Sequence, residues 1–198
     1  MHRIRQNYRE AIDAPIRVWH CLDQARQPQF FLADGSAMPL DTRSKILAID
    51  PGVSGAYAVL GRQGEFVDMN ELPRFKKALS AVELASIFSM HRPELAVIEK
   101  VASMPGQGVA SVFTFGTAYG VCIGVAGGSD VPVSFVTPGR WKAHFRLLGQ
   151  PKDASRELAI RLYPAVAKML GLKKHHGRAD ALLLARFAYD AETGAKFV

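Results

Sequence analysis

The chain has 198 residues, of which 48% are hydrophobic and 22% are charged, and it has only two cysteines, Cys21 and Cys122. These proportions are typical of a soluble globular protein, and the length suits one α/β domain better than two. The cysteine content argues against a disulfide framework and favours a reducing cytoplasm. We find neither a signal peptide nor an apolar run close to the ~20 residues of a membrane span, so we expect no membrane association.

The net charge of +7 is unevenly distributed. Residues 138–178 contain ten basic and two acidic residues, a net charge of +8 within 41 positions. Basic residues on helices commonly form a solvated face. Charge of one sign at this density favours a polyanionic partner instead.

The first 44 residues lack sustained periodicity, so we expect an irregular extension over 1–44 and one folded domain over 45–198. Met38 precedes a short lead-in to the first predicted strand. We therefore hypothesise that residues 1–37 are not part of the natural product. The intact mass of protein from the native source tests this hypothesis.

From Lys45 onward the pattern predicts a mixed α/β sheet. Predicted strands cover 46–50, 56–61, 65–72, 94–101 and 131–137. Predicted helices cover 80–91, 109–126, a short segment that starts at Thr137 and Pro138, 153–163 and 179–190. The helix over 109–126 is rich in small residues, which suits either close packing against the sheet or a dimer surface.

Three carboxylates lie in otherwise apolar surroundings. Asp50 ends the first strand, Glu99 ends the second apolar strand, and Asp180 lies near the start of the last helix. Taken singly, they could be a turn former, an exposed strand end and a helix-terminal acid. If the two strands are parallel neighbours, however, their carboxyl ends share the edge of the sheet where ligands usually bind.

Converging carboxylates without matching buried cations repel one another, and a divalent cation removes this repulsion. Mg²⁺ and Mn²⁺ prefer oxygen ligands and leave positions open for phosphate and water. Two ions roughly 4 Å apart would suit phosphodiester hydrolysis. His176 precedes Asp180 by four residues and would share its helix face as a ligand or a water-positioning group. The alternative is that His175 and His176 form an exposed, solvated pair.

Four motifs together resemble those of the RuvC-type Holliday-junction resolvases of the ribonuclease H-like superfamily, particularly phage and prophage versions. They are IDPGVSGAYAVL, VIEKV, VTPGRWKAHF and HGRADALLLA, and the resemblance spans about residues 45–190. It implies a ribonuclease H-like five-stranded mixed sheet flanked by helices. It also implies a homodimeric crossover junction endodeoxyribonuclease of DNA recombination and repair, which cuts branched DNA with two Mg²⁺ ions, for which Mn²⁺ would substitute.

By this resemblance, Asp50, Glu99 and Asp180 match the metal-binding acids, and we add His176 to them as a catalytic candidate. The family commonly has a fourth acid or a histidine three residues before the last aspartate, where this chain has Gly177. The fourth ligand is therefore His176, the adjacent His175, or none.

The resemblance also indicates residues that contact nucleic acid. Lys142 and Lys152 lie where the family has lysines near the scissile phosphate, and Arg140 is close to them. The full predicted DNA-binding set is Arg140, Lys142, Lys152, Lys173 and Lys174.

Two alternatives remain open at this point. The missing acid at Gly177 allows a junction-binding module without catalysis. The IDPG motif also resembles the first phosphate loop of actin-like ATPases, although those enzymes pair two related domains and this chain has one such motif. For the nuclease, we expect a cytoplasmic, nucleoid-associated protein, or one in the host cytoplasm if a phage encodes it.

Overall fold

The protein is described by a computed structural model over residues 45–52, 55–100 and 108–195. The predicted extension over 1–44, with the hypothesis on residues 1–37, lies outside the described residues.

A five-stranded mixed sheet forms the centre of the fold, as predicted. Its strands are β1 (Ile46–Asp50), β2 (Ala56–Leu60), β3 (Phe66–Glu71), β6 (Leu95–Glu99) and β7 (Val133–Val136). A separate two-stranded hairpin consists of β4 (Arg74–Phe75) and β5 (Ala78–Leu79). The order in the sheet is β3-β2-β1-β6-β7, in which β1, β2 and β3 are antiparallel neighbours and β1, β6 and β7 run parallel.

The helices follow the predicted order. They are α1 (Ala81–His91), α2 (Val109–Gly128), α3 (Pro138–His144), α4 (Asp153–Leu162) and α5 (His176–Thr193), with 3₁₀ turns at Pro164–Val166 and Lys173–His175. Ser80 caps α1 as expected, because its side chain accepts a hydrogen bond from the Glu83 amide at 3.4 Å. The last helix begins at His176, three residues earlier than predicted, so Asp180 lies in its second turn.

The sheet separates two packing faces. Leu47 and Ile49 belong to a buried cluster that includes residues of α1 and α2, whereas α5 packs against β1 and β2. Since side chains alternate along a strand, Asp50 lies on the opposite face from Ile49, and Glu99 lies opposite Ile98. Both carboxylates therefore belong to the face that α5 covers.

Helix α2 differs from the other helices because most of it is not covered by the described chain. Its only fully buried residues are Cys122 and Ala126, while Val109 and Phe113 are 87% and 76% exposed. The expectation that no apolar run is long enough for a membrane span was wrong, because this helix meets the requirement by length and composition alone. One such helix within the described ranges is weak evidence for a membrane segment.

Candidate active site

The first acid is fixed by a tight turn after β1. Asp50 Oδ1 accepts a hydrogen bond from the Gly52 amide at 2.9 Å, and the Gly55 amide donates to the Gly52 carbonyl at 2.8 Å. A Cβ atom at position 55 would lie 2.7 Å from the carbonyl oxygens of both Asp50 and Gly52. Glycine is therefore required at position 55 by the close approach of the backbone.

The second acid is held by a tryptophan. Glu99 is 9% exposed at the end of β6, and its Oε1 accepts a hydrogen bond from Nε1 of the fully buried Trp141 at 2.8 Å. Ile49 and Ile98 are register partners between β1 and β6, so Asp50 and Glu99 leave adjacent strands at one edge. This confirms the predicted adjacency of the two strand ends. The role of Trp141 was not predicted, although a buried indole N–H usually requires an acceptor.

The third acid, Asp180, reaches the same region from α5. Burial raises its pKa and a hydrogen bond from Ser155 opposes this increase, while its Oδ1 is buried without a hydrogen-bond partner among the described residues. A buried, unpaired carboxylate oxygen is costly, so this atom is suited to a ligand.

The electrostatics show that the three acids lie close to one another. Burial raises the pKa of Asp50 to about 7, and the charges of Glu99 and Asp180 add to the increase. Burial also raises the pKa of Glu99, against the opposing hydrogen bond from Trp141 and with a further contribution from Asp180. Burial likewise raises the pKa of Asp180. The arrangement disfavours three simultaneous negative charges unless a cation joins them.

Three of the predicted polar residues act on these acids. The ammonium group of Lys142, whose Nζ lies 5.2 Å from the Trp141 ring centroid, lowers the pKa of Asp50, Glu99 and Asp180. Lys152 and His176 both lower the pKa of Asp180.

The remaining predicted residues lie farther out. Arg140 is exposed, with its guanidinium carbon 5.9 Å from the Phe187 ring centroid. Lys173 and Lys174 are exposed on a 3₁₀ turn. The neighbouring His175 has a buried Nδ1 with no hydrogen-bond partner in the described part of the chain.

Helix α3 contacts both β6 and α5, the elements that carry Glu99 and Asp180. Trp141 links it to β6, and Nε2 of His144 lies 3.0 Å from Oδ2 of Asp190 on α5. Asp190 is 1% exposed, and Nε of Arg186 donates to its Oδ1 at 2.7 Å. One short helix therefore connects the sheet that carries Glu99 with the helix that carries Asp180.

The predicted role of the three acids as metal ligands stays a prediction. Among the described residues, no three His, Cys, Asp or Glu side chains form a group that could hold a metal ion. Asp50, Glu99 and Asp180 are instead near neighbours that each accept a hydrogen bond from the protein, which satisfies part of their charge. Their chemistry still fits a hard divalent cation, since all donors are carboxylate oxygens and Asp180 Oδ1 lacks a partner in that part of the structure.

Comparison with solved structures defines the class of fold. No family model matches the chain. The structure of Thermus thermophilus RuvC aligns with a TM-score of 0.54 and 20% sequence identity, over 77% of this chain and 98% of that chain. The T. thermophilus RuvC complex with a Holliday junction substrate gives a TM-score of 0.53 and 21% identity over the same shares. The chain therefore has the ribonuclease H-like fold in its RuvC form, as the motifs predicted.

A sequence relative agrees with this resemblance. The chain is 38% identical over 95 residues to a Chlamydomonas reinhardtii protein named "Holliday junction resolvase MOC1, chloroplastic". The match covers 48% of this chain and 11% of that protein, so the chain spans only a small part of its curated relative. The predicted resemblance to Holliday-junction resolvases is thus found in both sequence and fold.

Proposed function

We propose that the chain is a metal-dependent, structure-specific endodeoxyribonuclease that resolves four-way (Holliday) or other branched DNA junctions by phosphodiester hydrolysis. The observation that carries this proposal is the electrostatic crowding of Asp50, Glu99 and Asp180 beside Lys142. Crowded, buried carboxylates are unfavourable for folding alone, and they suit the binding of divalent cations and phosphate. The RuvC form of the fold and the resolvase name of the relative support the substrate class.

Asp50, Glu99 and Asp180 would hold two Mg²⁺ ions, and Mn²⁺ would substitute for them. When bound, such ions supply Lewis acidity to the attacking water and to the leaving oxygen. Within the chain, the Gly52 amide orients Asp50 and the Trp141 indole orients Glu99. His176, close enough to Asp180 to lower its pKa, would position water or complete the ligand set.

The cations would divide into two groups by their distance from the acids. Lys142 and Lys152 would face the scissile phosphate, where a fixed positive charge stabilises charge that develops in the transition state. Arg140, Lys173 and Lys174 are exposed and would contact the DNA backbone farther out, which fixes orientation without reading sequence.

We further propose that the active form is a homodimer with α2 at its interface. Gly116, Gly120 and Gly124 recur at four-residue intervals, and a Cβ atom at any of them would meet no atom within 4 Å. Together with the exposed Phe113, they form an apolar face that the described residues leave uncovered, and this face permits close approach of a second helix. A two-fold dimer would present two equivalent sites to two opposite strands of the four in a four-way junction.

A panel of labelled DNAs tests the function directly. We expect four-way junctions to be cut in Mg²⁺ or Mn²⁺, with three-way, flap and linear DNAs cut more slowly, and no cleavage in Ca²⁺. Junction binding without cleavage in every metal would favour the binding-module alternative. ATP hydrolysis in the absence of DNA would favour the phosphotransferase alternative. The proposed activity requires a compartment that contains DNA, and a cytoplasmic location stays a prediction.

A further inference from the structure

The β4–β5 hairpin over residues 74–79, which we call the basic hairpin, was not predicted from the sequence. Its residues RFKKAL include Arg74, Lys76 and Lys77 and no acid. Phe75 lies among these cations and is 68% exposed. An exposed aromatic ring flanked by cations is unfavourable for a solvated turn but suits a contact with nucleic acid.

The basic hairpin is joined to the loop that holds the first acid. Nη2 of Arg74 donates to the Gly52 carbonyl at 3.4 Å, and the Gly52 amide donates to Asp50 Oδ1 at 2.9 Å. The two polar groups of Gly52 therefore connect the hairpin with Asp50. Arg74, at the base of the hairpin, therefore contacts the turn that orients Asp50.

The base of the hairpin is anchored to the rest of the domain. The Ser80 amide donates to the Pro73 carbonyl at 2.9 Å, and Leu79 packs against the buried cluster. This anchoring fixes the position of Phe75 while leaving its ring accessible. A fixed, accessible ring loses little conformational freedom when a base stacks on it.

The turn itself carries backbone strain. Lys76 has φ of +57°, a left-handed conformation that glycine and asparagine adopt at lower cost in two-residue hairpin turns. Its Nζ lies 5.6 Å from the Phe75 ring centroid. A lysine at this position is unfavourable for folding, which is consistent with a role for its charge in binding.

We propose that the basic hairpin contacts DNA beside the scissile phosphate, with Phe75 stacked on an exposed nucleobase and with Lys76 and Lys77 against the flanking phosphates. This inference rests on the proposed nuclease function and adds a base contact to it. Stacking requires a base with an uncovered face, which a branch point supplies and an intact duplex does not. The three cations favour a polyanion over a protein partner.

The first test measures junction affinity in EDTA, so that no cleavage interferes. We expect Phe75→Ala to weaken four-way junction binding about 10-fold and to change linear duplex binding less than about 2-fold, because base stacking on an aromatic ring contributes substantially to affinity. Phe75→Trp should restore junction affinity. Met90→Ala is the matched control, since Met90 is 73% exposed on α1 and should leave affinity unchanged. Equal affinities of wild type and Phe75→Ala would overturn the inference.

A second measurement identifies the stacked base. Single abasic sites are placed in turn at each nucleotide around the branch point, and each junction is titrated with wild type and Phe75→Ala. At one position, removal of the base should weaken wild-type binding but not Phe75→Ala binding, since the ring and base form one interaction. Additive losses at every position would exclude stacking.

The Lys76→Gly variant distinguishes an effect on junction affinity from an effect on the stability of the fold. Glycine relieves the positive φ, so the thermal midpoint should not fall, whereas junction affinity should drop and the salt slope should decrease by about 0.9. Unchanged affinity and slope would exclude a phosphate contact by Lys76. If wild type binds no DNA in the panel, both this inference and the proposed function are wrong. Junction cleavage by wild type with an unaffected Phe75→Ala overturns only the inference.

Discussion

Asp50 combines the roles of turn residue and buried acid, and its charge is unfavourable in the folded chain alone. The Gly52 amide satisfies one oxygen, while burial and the neighbouring acids raise the pKa to about 7. We therefore expect a cation bound at this carboxylate to stabilise the folded chain.

Asp50→Asn should reduce junction cleavage by several orders of magnitude and leave junction affinity unchanged or higher. Asparagine retains the acceptor for the Gly52 amide but loses the charge that would hold a cation. Single-turnover cleavage and binding titrations measure the two effects. Asp130→Asn is the matched control, because Asp130 is exposed at the other end of the sheet with φ of +55°, which asparagine tolerates. Normal cleavage by pure Asp50→Asn protein would contradict the proposed mechanism.

The pKa of Asp50 predicts a pH-dependent stability. Because the folded pKa is above the model value of 3.8, the folded state binds this proton more tightly than the unfolded state does. The resulting stabilisation is present below pH 3.8 and is lost as the pH rises through about 7. Without divalent ions, Asp50→Asn should therefore be more stable than wild type at pH 8, by up to about 4 kcal/mol, and the difference should shrink toward pH 5.

Chemical unfolding at both pH values measures this difference. Added Mg²⁺ should stabilise the wild type at pH 8 and have little effect on Asp50→Asn. A difference that grows as the pH falls would show that the Asp50 carboxylate is not destabilised by burial.

Lys142→Ala should lower the rate of cleavage more than junction affinity, because Lys142 lies near all three acids. We expect roughly a 100-fold loss in single-turnover rate with less than a 10-fold loss in affinity. Lys168→Ala is the control, since Lys168 is an exposed member of the same basic segment. Equal losses of rate and affinity would assign Lys142 to simple backbone contact.

The sequence predicted the three acids because each interrupts an apolar run at the end of a strand or within a helix. It did not predict the partners that orient them. Trp141 is 42 positions from Glu99, and no local pattern connects the two. The role of the three acids as metal ligands stays a prediction, since no three such side chains within the described ranges are grouped closely enough to hold an ion.

At the level of elements, strands and helices with clear periodicity were predicted to within a few residues. The β4–β5 hairpin was missed because strands of two residues are too short to show alternation. The packing of α2 was left open, because small apolar residues suit both a buried helix and an interface. In the structure, its carboxyl half packs against the sheet, and no other part of the described chain buries its amino half.

Gly120→Leu tests whether α2 forms the dimer interface. Leucine favours a helix by up to about 1 kcal/mol over glycine, so the fold should not be weakened, but its side chain would prevent close approach of a second helix. Light scattering should show a dimer for the wild type and a monomer for Gly120→Leu, with reduced junction cleavage. Val82→Leu, at a 79% exposed position on α1, should remain dimeric. A Gly120→Leu dimer would exclude this interface.

At the scale of the whole molecule, the basic segment 138–178 comprises α3, α4, the 3₁₀ turns and the first residues of α5, and it contributes Lys142 and Lys152 near the acids. If six or more phosphates are neutralised, junction affinity should fall by about 10³-fold or more between 50 and 200 mM salt. Titrations at several salt concentrations measure the slope. An affinity that is nearly independent of salt would contradict the proposed role of this segment.

The position of the short helix α3, which carries Trp141, depends on a buried contact with α5. The contact between His144 and Asp190 joins this helix to α5, and the hydrogen bond from Trp141 to Glu99 joins it to the sheet. We therefore expect substitutions of Asp190 to lower activity, although its carboxylate is buried and lies outside the acid cluster. A screen for inactive variants should therefore find buried positions such as this one, where the substitution displaces α3 and removes no reacting group.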